Sequence, residues 1–149
     1  MSDVAEAIRN DVKQAMRDRD TQRRDALRLL VAAIDNARIE VRRDLDDDEV
    51  IRVLQKEAKQ RRDSIEEFGK AGRDDLVSRE QAELDFIHSY LPAGLSADEL
   101  AVLVDETIAE VGASGADDLG SVMGPLMSKI AGRADGREAN ALVRERLAG

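Results

Sequence analysis

The chain has 149 residues with a formal net charge of −9, and is 42% hydrophobic and 37% charged but only 2% aromatic. Having no cysteine and one histidine excludes disulfides and thiolate chemistry and leaves little room for a histidine-built metal centre or nucleophile. No apolar run is long enough to cross a membrane, "MSDVAEAIRN" lacks the basic-then-apolar form of a signal peptide, and the acidic balance excludes an indiscriminate nucleic-acid coat, so the expectation is a cytoplasmic protein.

A core built from Leu, Ile, Val, Met and Ala favours packed helices over a sheet. Ser2 is placed to cap a first helix whose apolar positions are Val4, Ile8, Val12, Ala15 and Met16. "RDRDTQ" interrupts it, with Arg17 and Arg19 alternating with Asp18 and Asp20, an arrangement that predicts a neutral, self-compensated stretch. A second helix carries Leu27, Leu30, Val31, Ile34, Ala37 and Val41 on one stripe. The third starts at a capping-box pattern, Asp46 with Glu49, and runs through Ile51, Leu54, Ala58, Ile65 and Phe68. A fourth, with Val77, Leu84, Ile87 and Leu91, reaches Pro92.

"PAG", Pro92 to Gly94, is the boundary the sequence offers, because proline biases Leu91 away from the helical region and Gly94 is permissive. Ser96 and Glu99 form a second capping box, with Leu95 and Leu100 at staple positions, opening a fifth helix that ends at Gly112. A sixth begins at Asp117 or Asp118, and a seventh at Asp135 with Glu138, turning Ala139, Leu142, Val143 and Leu147 inward. The fold class expected is all-α, an N-terminal four-helix region over residues 1–91 followed by a three-helix C-terminal domain over 92–149.

In "DLGSVMGPLMSKIAGRADGREAN", Leu119, Val122, Met123, Leu126 and Ile130 form an apolar stripe, so the segment reads as helix despite its glycines. Gly120, Gly124, Ser128 and Ala131 form a small-residue face that another backbone could approach. Pro125 predicts a kink or a late helix start, and Gly132 suits the left-handed position that ends a helix. From Pro92 through Ser128 there is no lysine or arginine, whereas Lys129, Arg133, Arg137, Arg144 and Arg146 all follow. Backbone amides at the start of the last helix, beside Arg133 and Arg137, make a candidate phosphate-binding surface for which Asp135 competes.

Elsewhere the chemistry is sparse. The run from Asp44 to Asp48 fails the calcium-loop pattern, with Glu49 at its sixth place and Gln55 at its twelfth, and reads as a solvated helix start. His88 reads as a structural histidine, and Glu80 and Glu83 as exposed or ion-paired. The gap in the apolar stripe of the third helix falls on Arg61 and Arg62, one of which stands where the helix should be apolar. Either that arginine lays its stem along the core edge with a wet head, which is the commoner arrangement, or Lys59, Gln60, Arg61 and Arg62 form a polar cluster facing a cleft. No activated nucleophile, phosphate loop or zinc motif is present, so no intrinsic catalysis, metal or cofactor is expected.

The C-terminal stretch, with Gly120, Val122, Met123, Gly132, Arg133, Ala134, Asp135, Val143 and Leu147, resembles the end of YqeY-type proteins and is similar to the tail domain of the B subunit of the glutamine-dependent Asp/Glu-tRNA amidotransferase. "LRLLVAAIDNARIE", "KQRRDSIEEFGKAGRDDLVSREQAEL" and "YLPAGLSADEL" extend the YqeY-type resemblance over nearly the whole chain. The resemblance implies an all-helical, non-catalytic relative of the tail, linked to carbon–nitrogen ligase chemistry with glutamine as amido donor by association alone. The tail domain of that subunit helps hold tRNA, so the expected partner is tRNA or a tRNA-bound enzyme, and Lys129, Gly132, Arg133, Gly136, Arg137 and Arg144, gathered at the basic turn and last helix, are the candidate RNA-binding residues. A protein-interaction adaptor and an accessory factor to amide transfer are the alternatives.

Overall fold

The computed structural model describes residues 2–148, and among them all regular structure is helical. The helices are α1 (Asp3–Arg17), α2 (Thr21–Val41), α3 (Asp47–Lys70), α4 (Asp74–His88), α5 (Ala97–Val111), α6 (Leu119–Ile130) and α7 (Gly136–Ala148), with a 3-10 turn at Ala116–Asp118 leading into α6. The chain divides between Leu91 and Pro92 into two compact units.

In the N-terminal unit, α1 with α2 and α3 with α4 form two helical hairpins that pack together. Ile8, Leu27, Leu30, Ile34, Val50, Leu54, Ala58, Leu84 and Ile87 fill the space between them. Removing such apolar surface from water is what drives the four helices together, at about 25 cal/mol per Å². Ser2 caps α1, accepting from the Ala5 amide at 3.2 Å while its hydroxyl donates to Asp47 at the start of α3. Val50 takes the fully buried place at the start of α3, and Ile51 is only half-buried. α4 stops at His88, three residues short of Leu91, and the chain leaves it through tight turns.

The Asp46–Glu49 capping box forms, with the Glu49 amide donating to Asp46 at 2.8 Å. Arg43 grips both Glu49 oxygens, at 2.8 and 3.0 Å, and this bidentate bond is the main reason the Glu49 carboxyl falls from 4.5 to about 2. A carboxyl whose folded value is depressed contributes stability above its unfolded value and loses it as pH falls through the folded one. Glu49→Gln should therefore melt below wild type at neutral pH, and the gap should close between pH 4.5 and about 2. Melting temperatures of both proteins across that range check it; a gap unchanged at the acid end contradicts it.

In the C-terminal unit, α5, α6 and α7 enclose Leu100, Val104, Val122, Leu126, Ile130, Ala139, Val143 and Leu147. The Ser96–Glu99 capping box opens α5, and Gly112, at φ +67, ends it. Thr107 is fully buried within this apolar set because its hydroxyl donates to the Leu103 carbonyl at 2.7 Å, leaving no unmet donor. The carboxylate of Asp118 points back to accept from the Ser114 and Gly115 amides, at 2.9 and 3.3 Å, so it pins the preceding loop rather than capping α6. α6 runs unbroken through Pro125. Pro125 and Ser121 both lie on its exposed side, where the carbonyl deprived of its amide partner meets water.

Candidate nucleic-acid interface

The turn between α6 and α7 is built from two consecutive left-handed residues, Ala131 at φ +50 and Gly132 at φ +76. Ala131 is the C-cap, its amide donating to the Met127 carbonyl at 3.1 Å, and Gly132 takes the left-handed place that follows it, as expected. Asp135 then caps α7, its Oδ1 accepting from the Arg137 amide at 2.9 Å. One of the free amides at the helix start is thus already used by the protein's own carboxylate. A Cβ at Gly136 would sit 3.4 Å from the Met127 methyl, an ordinary contact with a flexible side chain, so packing does not demand glycine there.

The basic side chains of this unit divide into two groups. Lys129 pairs with Glu110 at 2.6 Å and Arg146 with Asp105 at 3.0 Å. Arg133 is tied to the segment entering the unit: its Nε donates to the Ala93 carbonyl at 2.8 Å, and its own carbonyl accepts from the Leu95 amide at 2.8 Å. These contacts bring Gly94 so close that a Cβ there would lie 3.3 Å from the Arg133 carbonyl oxygen. Glu99 is held below its ordinary value first by the Ser96 amide and hydroxyl, with a smaller contribution from the charge of Arg133. Arg133 therefore serves the architecture of the unit.

Arg137 and Arg144 form the second group, exposed on α7 and engaged with no carboxylate among the described residues. Seven residues apart on a helix, they share one face at a separation of about 10.5 Å along the axis. Arg144 Nε donates to Asn140 Oδ1 at 2.7 Å, one turn back on the same face. The bond steadies the guanidinium through Nε, and its terminal nitrogens bond to no described residue. Asn140 escaped the sequence reading, although its spacing of four before Arg144 was there to find. Such a stripe offers two planar forks to anions with phosphate geometry and has no group suited to proton transfer or nucleophilic attack.

The second predicted cluster does not assemble. Residues 59 to 62 are successive on α3 and point around it rather than to one side. Lys59, Gln60 and Arg62 are exposed, with Lys59 paired to Asp63 at 3.0 Å. Arg61 turns inward and meets Glu83 at 2.9 Å, Glu80 at 3.5 Å and Glu57 at 3.6 Å, every side chain being 20% exposed or less. Its head is thus neither wet nor in a cleft; it ties α3 to α4 through carboxylates, of which Glu57 was not anticipated. Arg61 Nε and Glu80 Oε2 have no well-directed hydrogen bond, so ion-pair proximity holds the group. His88 is exposed at the end of α4. Among the described residues no group of three or more acidic, histidine or cysteine side chains could hold a metal ion, and no helix is long and apolar enough to cross a membrane.

The family model for YqeY-like proteins matches residues 5–147. The protein called altered inheritance of mitochondria protein 41, mitochondrial, of Eremothecium gossypii is 37% identical over 113 residues, covering 74% of this chain and 62% of that one. Its namesake in Pyrenophora tritici-repentis is 34% identical over 134 residues, covering 88% and 73%. In Saccharomyces cerevisiae the namesake is 36% identical over 85 residues, covering 56% and 46%. The match thus spans less than two thirds of the first and the last of these relatives. Their names correct the expectation of a cytoplasmic protein: all three are called mitochondrial. Charge and hydropathy speak to membrane spans and carry no address within the cell, which is why composition misdirected that expectation. All-helical units and a family match running from residue 5 to residue 147 lead to one conclusion: the chain belongs to the YqeY-like family.

Proposed function

We propose that the C-terminal unit binds the sugar–phosphate backbone of tRNA along the outward face of α7, and that the protein is a binding factor without chemistry of its own. The observation that carries this reading is the division of the basic side chains. Lys129 and Arg146 are held in surface ion pairs and Arg133 is tied through its Nε to the Ala93 carbonyl, whereas Arg137 and the Asn140-steadied Arg144 are exposed on one face of α7. Cations without carboxylate partners gain most from releasing the counterions of a nucleic acid. The resemblance of this unit to the amidotransferase tail points to tRNA as the class of RNA, and to amide transfer as the setting in which the factor acts. Photo-crosslinking of unfractionated tRNA to the purified chain should return peptides from Gly136 to Arg144. Crosslinks confined to α5, whose surface is acidic, would contradict the reading.

A protein adaptor is the second reading, favoured by the open small-residue face of α6. A Cβ added at Gly120 or Gly124 would meet nothing within 4 Å, and Met127 beside them is 37% exposed. An adaptor complex would survive ribonuclease and high salt; an RNA-mediated one would not.

A further inference from the structure

The corner between α1 and α2 holds more unpaired positive charge than the α6–α7 turn. Residues 13–28 contain six basic side chains (Lys13, Arg17, Arg19, Arg23, Arg24 and Arg28) against three acids, in a chain of net charge −9. The sequence suggests that Asp18 and Asp20 neutralise the arginines they alternate with, but in the structure neither acid forms an ion pair with Arg17 or Arg19, and the stretch keeps a balance of +3. Asp18 accepts from the Gln14 side-chain amide at 3.0 Å, Asp20 caps α2 through the Arg23 amide at 3.1 Å, and Asp25 pairs with Arg24 at 2.9 Å. Arg23 lies 4.0 Å from Asp11, which also accepts from the Tyr90 hydroxyl.

Lys13, Arg17, Arg19 and Arg28 are left exposed, with no ion pair among the described residues. Arg17 reaches only Gln14, at 3.4 Å, and Arg28 only the Met16 sulfur, at 3.7 Å. Their positions converge. Lys13 and Arg17 are one turn apart on the same face of α1, the Met16 contact brings Arg28 of α2 against the last turn of α1, and Arg19 sits in the connection. Arg19 holds φ +57, a left-handed conformation that costs a non-glycine residue free energy and that glycine would adopt without strain. Its guanidinium bonds to no described residue, so the turn derives nothing from the side chain.

We propose that this corner is a second RNA contact, independent of α7, in which Lys13, Arg17, Arg19 and Arg28 receive successive phosphates of the backbone. A lipid surface fits poorly, because the apolar positions Ala5, Ile8 and Ala15 of α1 are buried in the unit and only Met16 and Leu29 are large exposed apolar side chains here. An acidic protein fits poorly too, because the corner offers no apolar centre from which a protein interface excludes water. Nucleic-acid interfaces need no such centre: they are polar, wet and strongly cationic on the protein side.

The test is a salt titration of unfractionated tRNA binding to the full-length chain, to Arg17→Gln/Arg19→Gly/Arg28→Gln, and to Lys13→Gln/Arg17→Gln. Glycine at position 19 relieves the left-handed backbone, so the triple variant should melt no lower than wild type. Each lost phosphate contact should reduce the log-affinity against log-salt slope by roughly 0.7–0.9, giving about 2.1–2.7 for the triple and about 1.4–1.8 for the double variant. The same assay on Arg137→Ala/Arg144→Ala reads α7 separately, so each patch stands or falls by its own variant. Slopes equal to wild type in the triple and the double variant overturn the proposal whatever α7 does, as does a wild type that fails to bind tRNA at low salt. Phosphatidylserine vesicles form the remaining arm: vesicle binding lost in the triple variant while its tRNA slope stays unchanged would make the corner a lipid contact and overturn the RNA proposal.

Discussion

Leu126→Ala should unfold the C-terminal unit while the N-terminal unit keeps its helices. Leu126 is fully buried among Leu100, Val104, Val122, Ile130, Ala139 and Val143. Truncating such a leucine costs about 2–5 kcal/mol, the transfer free energy of the lost methyls plus that of the cavity they leave. A core this small rarely supplies more than about 3–5 kcal/mol, so the single change is of the same order as the stability of the unit. Far-UV circular dichroism of the variant should lose the contribution of α5 to α7 and retain a cooperative melt for the remaining helices. A single melt of the whole chain, shifted as one, would contradict the proposal that residues 92–149 fold as a domain of their own.

Arg61→Ala should destabilise the N-terminal unit by about 3 kcal/mol, toward the lower end of what breaking a buried ion pair costs. The substitution leaves Glu57 and Glu80 with no ion-pair partner among the described residues and Glu83 with only the exposed Arg79, at 3.9 Å, the three carboxylates being 18, 20 and 15% exposed. The loss would reflect uncompensated carboxylates more than any net attraction in the intact group. Replacing all four residues together, with Arg61→Met, Glu57→Leu, Glu80→Leu and Glu83→Leu, should then recover much of the stability. Urea unfolding checks both: the midpoint should fall for Arg61→Ala with little change in slope, and rise again for the fourfold variant. An Arg61→Ala midpoint within error of wild type would mean that water already solvates the cluster.

Local chemistry made the helices legible in the sequence. Asp46 with Glu49 and Ser96 with Glu99 are capping boxes in both readings, and the stripes through Leu27, Leu30 and Ile34 or Leu100 and Val104 point inward as their spacing requires. What failed depended on partners distant in the chain. The role of Arg61 hinges on Glu80 and Glu83, which a different helix delivers. That of Arg133 hinges on the Ala93 carbonyl, forty residues earlier. Alternating charge in "RDRDTQ" looks neutral as a string, but Gln14 and the start of α2 take up Asp18 and Asp20, and that choice is visible only in three dimensions. Pro125 was legible as a fault in α6; that the exposed side of the helix would absorb it was not.

The most direct measurement is the affinity of the full-length chain for tRNA at 50 and 200 mM salt, set beside Arg137→Ala/Arg144→Ala. Neither side chain touches the core or a described carboxylate, so the variant should keep the wild-type melting temperature. If both arginines contact phosphates, the two salt slopes differ by about 1.4–1.8, and over this fourfold change the wild type should lose roughly tenfold more affinity than the variant. Equal losses in both proteins, or a wild type without tRNA affinity at 50 mM salt, would contradict RNA binding by α7.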